Sequence, residues 1–164
     1  MTVVASRSAV HDVDVGCTDC GFQLWLPIAT MRVSRLGLFD DGRFPGRCLL
    51  SLNPHFEDFS TLPQDLLAAF LEDMRDASLA MRQVTASPRV NYAVLGNTEP
   101  HVHCHLVPRY PDREAKPLET PWDDPRAWMG LAVEVKVRLR RDIAARLAVV
   151  RSTTDSGEDI SSAH

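Results

Sequence analysis

No stretch of the 164-residue chain approaches the roughly 18 consecutive apolar residues that a membrane span needs. The N-terminus also lacks a basic region followed by an apolar one, so no export signal is visible. Both absences predict a cytoplasmic protein with no membrane contact. Positive charge is in short supply too: 18 Lys and Arg stand against 22 Asp and Glu, for a net charge of −4. That balance disfavours a general nucleic-acid binder, which presents a basic face. An anionic substrate must therefore find a local patch, and Arg43, Arg47, Arg109 and Arg113 are candidates for one. There are no repeats and no linker between two compositions. The length and the 45% hydrophobic content suit one domain with a real core. We expect a leader over 1–15, a single domain over 16–150 and a disordered tail over 151–164.

Cysteine is sparse, with four residues. In a reducing compartment a Cys-x-x-Cys is a metal or redox pair more often than a disulfide. Cys17-Thr-Asp-Cys20 is such a pair, flanked by Gly16 and Gly21. The following Phe-Gln-Leu-Trp-Leu-Pro lacks the strand-to-helix context of a redox motif, but zinc needs two further ligands. Cys48 and Cys104 stand among apolar residues and are expected in the core.

Residues 101–107 read His-Val-His-Cys-His-Leu-Val. In a strand, positions i, i+2 and i+4 share one face. His101, His103 and His105 would line one side while Val102, Cys104 and Leu106 face the other, with Pro100 and Pro108 punctuating the ends. Three histidines on one face demand polar partners, a metal or a ligand. His11 and His164 lie in polar terminal stretches and are assigned no role.

Apolar stretches predict strands at 22–28, 33–39, 47–53 and 89–95, besides the histidine strand. Asp40 to Gly46 is rich in turn formers. A capping box of Thr61 and Gln64 with Pro63 in the first turn predicts a helix to about Val84. Leu67, Phe70, Leu71, Met74, Ala77, Ser78 and Met81 would form its core stripe. Four prolines make 111–127 an irregular flap, and 129–150 reads as a C-terminal helix. The class is α+β: an antiparallel sheet with the long helix on one face.

The pattern His-φ-His-φ-His-φ-φ, with φ apolar, resembles the signature of the histidine-triad (HIT) superfamily of nucleotide hydrolases and transferases. The longer stretch from Asn91 to Tyr110 is similar to a bacterial branch resembling diadenosine tetraphosphate hydrolases, and a weaker likeness runs from about Cys17 to Trp122. The resemblance implies a HIT-like fold and a homodimer, for which the helix stripe and the Trp122–Trp128 flap offer surfaces. It implies catalytic roles for His103 as nucleophile, His105 as a partner of a non-bridging phosphate oxygen, and His101 as the residue that orients His103. Related galactose-1-phosphate uridylyltransferases and many bacterial HIT proteins bind zinc, and the matching ligands here are Cys17, Cys20, His55 and His101. Family phosphate contacts fall on Asn97 and Thr98. The family's ribose contact falls on Asp40 or Asp41, with Asn91 a weaker candidate.

The residues alone allow the same chemistry, since a neutral imidazole is a competent nucleophile near pH 7 and covalent catalysis divides one displacement into two. The expected activity is hydrolysis of a nucleoside 5′-phosphate derivative at its α-phosphorus. A diadenosine polyphosphate is the first substrate to test, with adenine read by apolar contacts from the 22–39 region. Phosphorolysis or another nucleotidyl transfer is the alternative within enzymology. A hydrolase holding one catalytic metal on all three histidines leaves Cys17 and Cys20 without a role. A non-catalytic nucleotide-binding regulator is the remaining alternative.

Overall fold

A computed structural model describes residues 16–155. The leader 1–15, with His11, and residues 156–164, with His164, lie outside the described residues. Five strands form one antiparallel sheet: β1 (Pro27–Thr30), β2 (Ser34–Leu38), β3 (Cys48–Leu52), β4 (Arg89–Ala93) and β5 (His103–Arg109), in the order β1-β2-β3-β5-β4. Two helices, α1 (Gln64–Thr85) and α2 (Val133–Asp155), complete an α+β fold.

Alternation along the strands decides which side each residue serves. Leu36, Leu38, Cys48, Leu50, Leu52, Cys104 and Leu106 bury against Phe70, Ala77 and Met81 of α1 and Ile143 and Leu147 of α2. The two helices thus cover one face of the sheet, and burying each of the large side chains among these (Leu, Ile, Phe, Met) contributes roughly 1.5–3 kcal/mol. Leu71 of the expected α1 stripe is exposed, as are Val133 and Val137 of α2, because each lies off its helix's buried line. The opposite face carries Leu49 in a small cluster with Phe22 and Leu24, against which Cys17 and Cys20 pack. Two acids of α1 reinforce the first face. Asp73 accepts from the Arg32 and Val33 amides and from the Ser34 hydroxyl at 2.7 Å, while Asp76 pairs with Arg32.

Several boundaries differ from the sequence reading. The first strand begins at Pro27. Residues 22–26 cross the other face of the sheet, where Leu24 lies so close to Gly37 that a side chain there would crowd it. The Thr61–Gln64 capping box does not form. Asp58 instead caps a short 3-10 turn at Phe59–Thr61, and α1 starts after Pro63 with no side-chain cap. The triad strand begins at His103, because His101 and Val102 donate to the Glu99 and Phe56 carbonyls. Pro108 lies inside β5, opposite Val90. The β3 ladder has already ended at Leu106, leaving β5 one open side that tolerates a missing donor. Helix α2 runs to Asp155, so 151–155 is helical where a disordered tail was expected.

Candidate active site

The register of β3 against β5 sets Ser51 opposite His103 and Leu49 opposite His105. His103 and His105 therefore share the face that carries Leu49, away from the helices. A cleft of about 650 Å³ opens there; Gln23, Asn97, Thr98, Glu99, His103 and His105 are its polar lining, and Phe22, Trp25, Phe39 and Trp122 supply aromatic walls. A smaller cavity of about 270 Å³ adjoins it across Val94–Gly96 and also reaches His103.

The protons on the three rings follow from partners that can only accept or only donate. His103 Nδ1 lies 2.7 Å from the carbonyl of His101. A carbonyl only accepts, so Nδ1 carries a proton, and in the neutral ring Nε2 is the nitrogen that keeps a lone pair. His101 Nε2 lies 2.9 Å from the Leu52 carbonyl and 3.0 Å from the Ser51 hydroxyl, which leaves its Nδ1 bare. His105 Nδ1 lies 3.2 Å from an Arg47 guanidinium nitrogen, so it accepts and its proton sits on Nε2. Burial, with the charges of Arg47 and then His103, pushes the His105 pKa down to about 4. Burial likewise lowers that of His101, aided by the charges of His55, His103 and Arg35. Both rings are neutral at physiological pH.

His101 Nδ1 points at the cysteine loop. It lies 3.5 Å from Cys20 Sγ and 3.4 Å from His55 Nδ1, and Cys17 Sγ lies 3.6 Å from His55 Nδ1. The four ligand atoms all fall within 4.8 Å of one another. Zinc bonds of about 2.0–2.3 Å give tetrahedral edges of roughly 3.3–3.8 Å, so the donor set fits a closed zinc site. Burial and the neighbouring Cys17 hold the Cys20 thiol above its usual pKa, a penalty that a dication removes. Phe22, two residues after Cys20, stacks on His101 and His103.

The other expected residues divide between the cleft and the rest of the fold. Asn97 and Thr98 reach the cleft, on its exposed rim. Asp40 and Asp41, which the resemblance assigns to ribose, are not among the residues that line it. Asp41 is fully buried and accepts from Arg43 and Arg47, while Asp40 accepts from Lys136 in the first turn of α2 and from the Leu131 amide just before it. Asn91 is engaged by Arg109, which also pairs with Glu114. Cys48 and Cys104 are buried as expected, and burial pushes both thiols up to about 12. None of the four candidate arginines lines the cleft, although Arg47 stands directly behind His105. Phe22 falls within the 22–39 region expected to supply base contacts, whereas Trp122, read in the sequence only as part of a flap offering a dimer surface, also walls the cleft.

The HIT domain family model matches residues 35–112. Solved structures similar to this chain include histidine triad proteins from Bradyrhizobium japonicum (20% identity, TM-score 0.67, covering 74% of this chain and 90% of that one) and Marinobacter aquaeolei (20%, 0.66, 76% and 89%). A Zn-bound histidine triad family protein from Mycobacterium smegmatis is also similar (20%, 0.56, 77% and 86%). No curated protein sequence matches the chain. The architecture is the HIT fold, and residues 35–112 carry the HIT domain match that supports a place in the HIT superfamily.

Proposed function

We propose that this protein is a cytoplasmic, homodimeric nucleotide hydrolase that cleaves a nucleoside 5′-phosphate derivative at the α-phosphorus through a nucleotidyl-His103 intermediate. The observation that carries this reading is the hydrogen bond from His103 Nδ1–H to the His101 carbonyl. In the neutral ring it leaves Nε2 with the lone pair, beside a cleft large enough for a nucleotide. In the first step Nε2 attacks the α-phosphorus, and the leaving group departs with the electron pair of its bond to phosphorus and takes up a proton. In the second step water attacks the same phosphorus, the phosphorus–nitrogen bond breaks, and the nucleoside monophosphate leaves. His105 Nε2–H would donate to a non-bridging oxygen as charge builds, with Asn97 and Thr98 adding donors at the rim. Phe22, Phe39 and Trp122 offer faces for an adenine base.

Cys17, Cys20, His55 and His101 would hold zinc, and the cited separations support this. A closed four-ligand site supplies rigidity, not a metal-bound water. It would bind the cysteine loop to His101, whose carbonyl orients His103.

The test is a panel of diadenosine polyphosphates and adenosine phosphoramidates, each with and without added inorganic phosphate. Release of AMP from at least one, independent of phosphate, is expected. Turnover only with phosphate would point to a phosphorylase, and AMP binding without any turnover would point to a regulator.

A further inference from the structure

Arg47 is a charged residue buried behind the cleft, only 5% exposed. It sits just before β3, and its side chain falls on the same side as Leu49 and hence as His105. Gly46, at φ +95°, makes the turn that delivers it; a β-carbon there is strained and collides with Thr85. The guanidinium lies over the Phe39 ring at 4.2 Å and the Trp122 ring at 5.4 Å. One of its terminal nitrogens donates to Asp41 at 3.0 Å, the other to His105 Nδ1 at 3.2 Å. Its buried Nε has no partner among the described residues. A guanidinium built only to neutralise Asp41 does not require an imidazole on its other arm, and Asp41 already takes two hydrogen bonds from the Arg43 side chain.

Arginine has donors and no acceptor and stays charged at any accessible pH. Nδ1 of His105 must then accept, and a proton placed there would face another donor and a positive charge. The remaining groups around His105 do not reverse this. His103 stands beside it edge-on, 5.2 Å between ring centroids, Phe39 and Trp122 are aromatic walls, and Glu99 lines the same cleft.

We propose that Arg47 is a positioning residue: it fixes His105 as the Nε2–H tautomer, so that His105 meets the phosphoryl oxygen as a neutral donor, with Asp41 holding Arg47 in register. The arrangement keeps a permanent positive charge one layer behind the phosphate, in a cleft that no lysine or arginine lines. The role toward phosphate rests on the hydrolase reading above; the tautomer is a property of the free protein.

Nitrogen-15 NMR of histidine-labelled, substrate-free protein distinguishes the two tautomers and the imidazolium. With peaks assigned by single histidine substitutions, wild-type His105 should be neutral and Nε2-protonated from pH 8 to pH 5. Arg47→Met should populate the Nδ1–H form and let His105 take up a proton at higher pH. Arg47→Lys, which keeps a donor and a charge beside Asp41, should restore part of the wild-type pattern. On a cleaved substrate, kcat of Arg47→Met should fall about tenfold or more while AMP binding changes little. Wild-type His105 found Nδ1-protonated or as imidazolium at pH 6 would overturn the assignment, and that reading survives even if Arg47→Met does not fold. A tautomer unmoved in a folded Arg47→Met protein would do the same. The expected tautomers without turnover of any nucleotide would instead sink the hydrolase reading and leave Arg47's hold on His105 standing.

Discussion

Phe22 lies flat against His101, with ring centroids 4.8 Å apart and planes 4° from parallel, and the same ring covers His103 at 5.2 Å. One residue thus ties the cysteine loop to the His103 ring. The loop is anchored beneath it by Arg35, which donates to the Gly16 carbonyl at 2.9 Å. Whatever fixes Cys17 and Cys20 also fixes the face against which His103 rests.

The metal content follows from this connection. Protein purified without chelator should carry about one zinc per chain, the number a Cys₂His₂ tetrahedron takes. Cys17→Ser should lose it and melt at lower temperature, because a structural metal's binding energy contributes to folding. Elemental analysis that finds no zinc, or zinc undiminished in both Cys17→Ser and His101→Ala, rejects the four-ligand site.

His103→Ala should lose several powers of ten in turnover while AMP binding and the far-ultraviolet spectrum remain close to wild type. The residue is buried but small, and its removal breaks a single side-chain bond to the main chain. A variant that keeps a substantial share of activity excludes the covalent route.

Hydrolysis in ¹⁸O-labelled water should place the label in AMP, as attack at the α-phosphorus requires. Mass spectrometry that finds it solely in the other product would mean that another phosphorus is attacked, and the nucleotidyl-histidine would fail.

Stability should depend on pH through His105. Its folded pKa, pushed to about 4 by burial, Arg47 and His103, lies below the unfolded value of about 6.5. Between those values the unfolded chain binds more protons, so stability is fully present above about pH 6.5 and falls as pH drops toward 4. His105→Asn should melt with a shallower acid slope over that window. Equal slopes for the two proteins, followed by scanning calorimetry, would show that His105 is not held neutral.

Assembly can be checked directly. Trp128, Met129, Val133 and Val137 are exposed at the flap and the start of α2, and a specific dimer would bury at least about 1,000 Å². Light scattering at micromolar concentration should return twice the chain mass; the mass of one chain would leave the monomer.

The period-two spacing of the histidines was enough to put His103 and His105 on one face and Cys104 and Leu106 on the other, because side-chain direction in a strand is a local property. The same locality made α1 legible from its apolar stripe, and made Cys48 and Cys104 core residues. What lay beyond local reach came from pairings distant in the chain. His101 meets Cys20 81 positions away, and Arg47 meets His105 58 positions away. No local periodicity encodes such distances; the β3–β5 register and the path of residues 22–26 across the sheet create them. Asp40 and Asp41 stand in a turn-rich stretch that the resemblance assigns to ribose, and their pairing with Arg43, Arg47 and Lys136 is visible only in the fold. The sequence by itself determined which residue types stood ready for chemistry. The tertiary structure alone decided which protons they carry, because a histidine's tautomer is set by whichever donor or acceptor the fold brings to its other nitrogen.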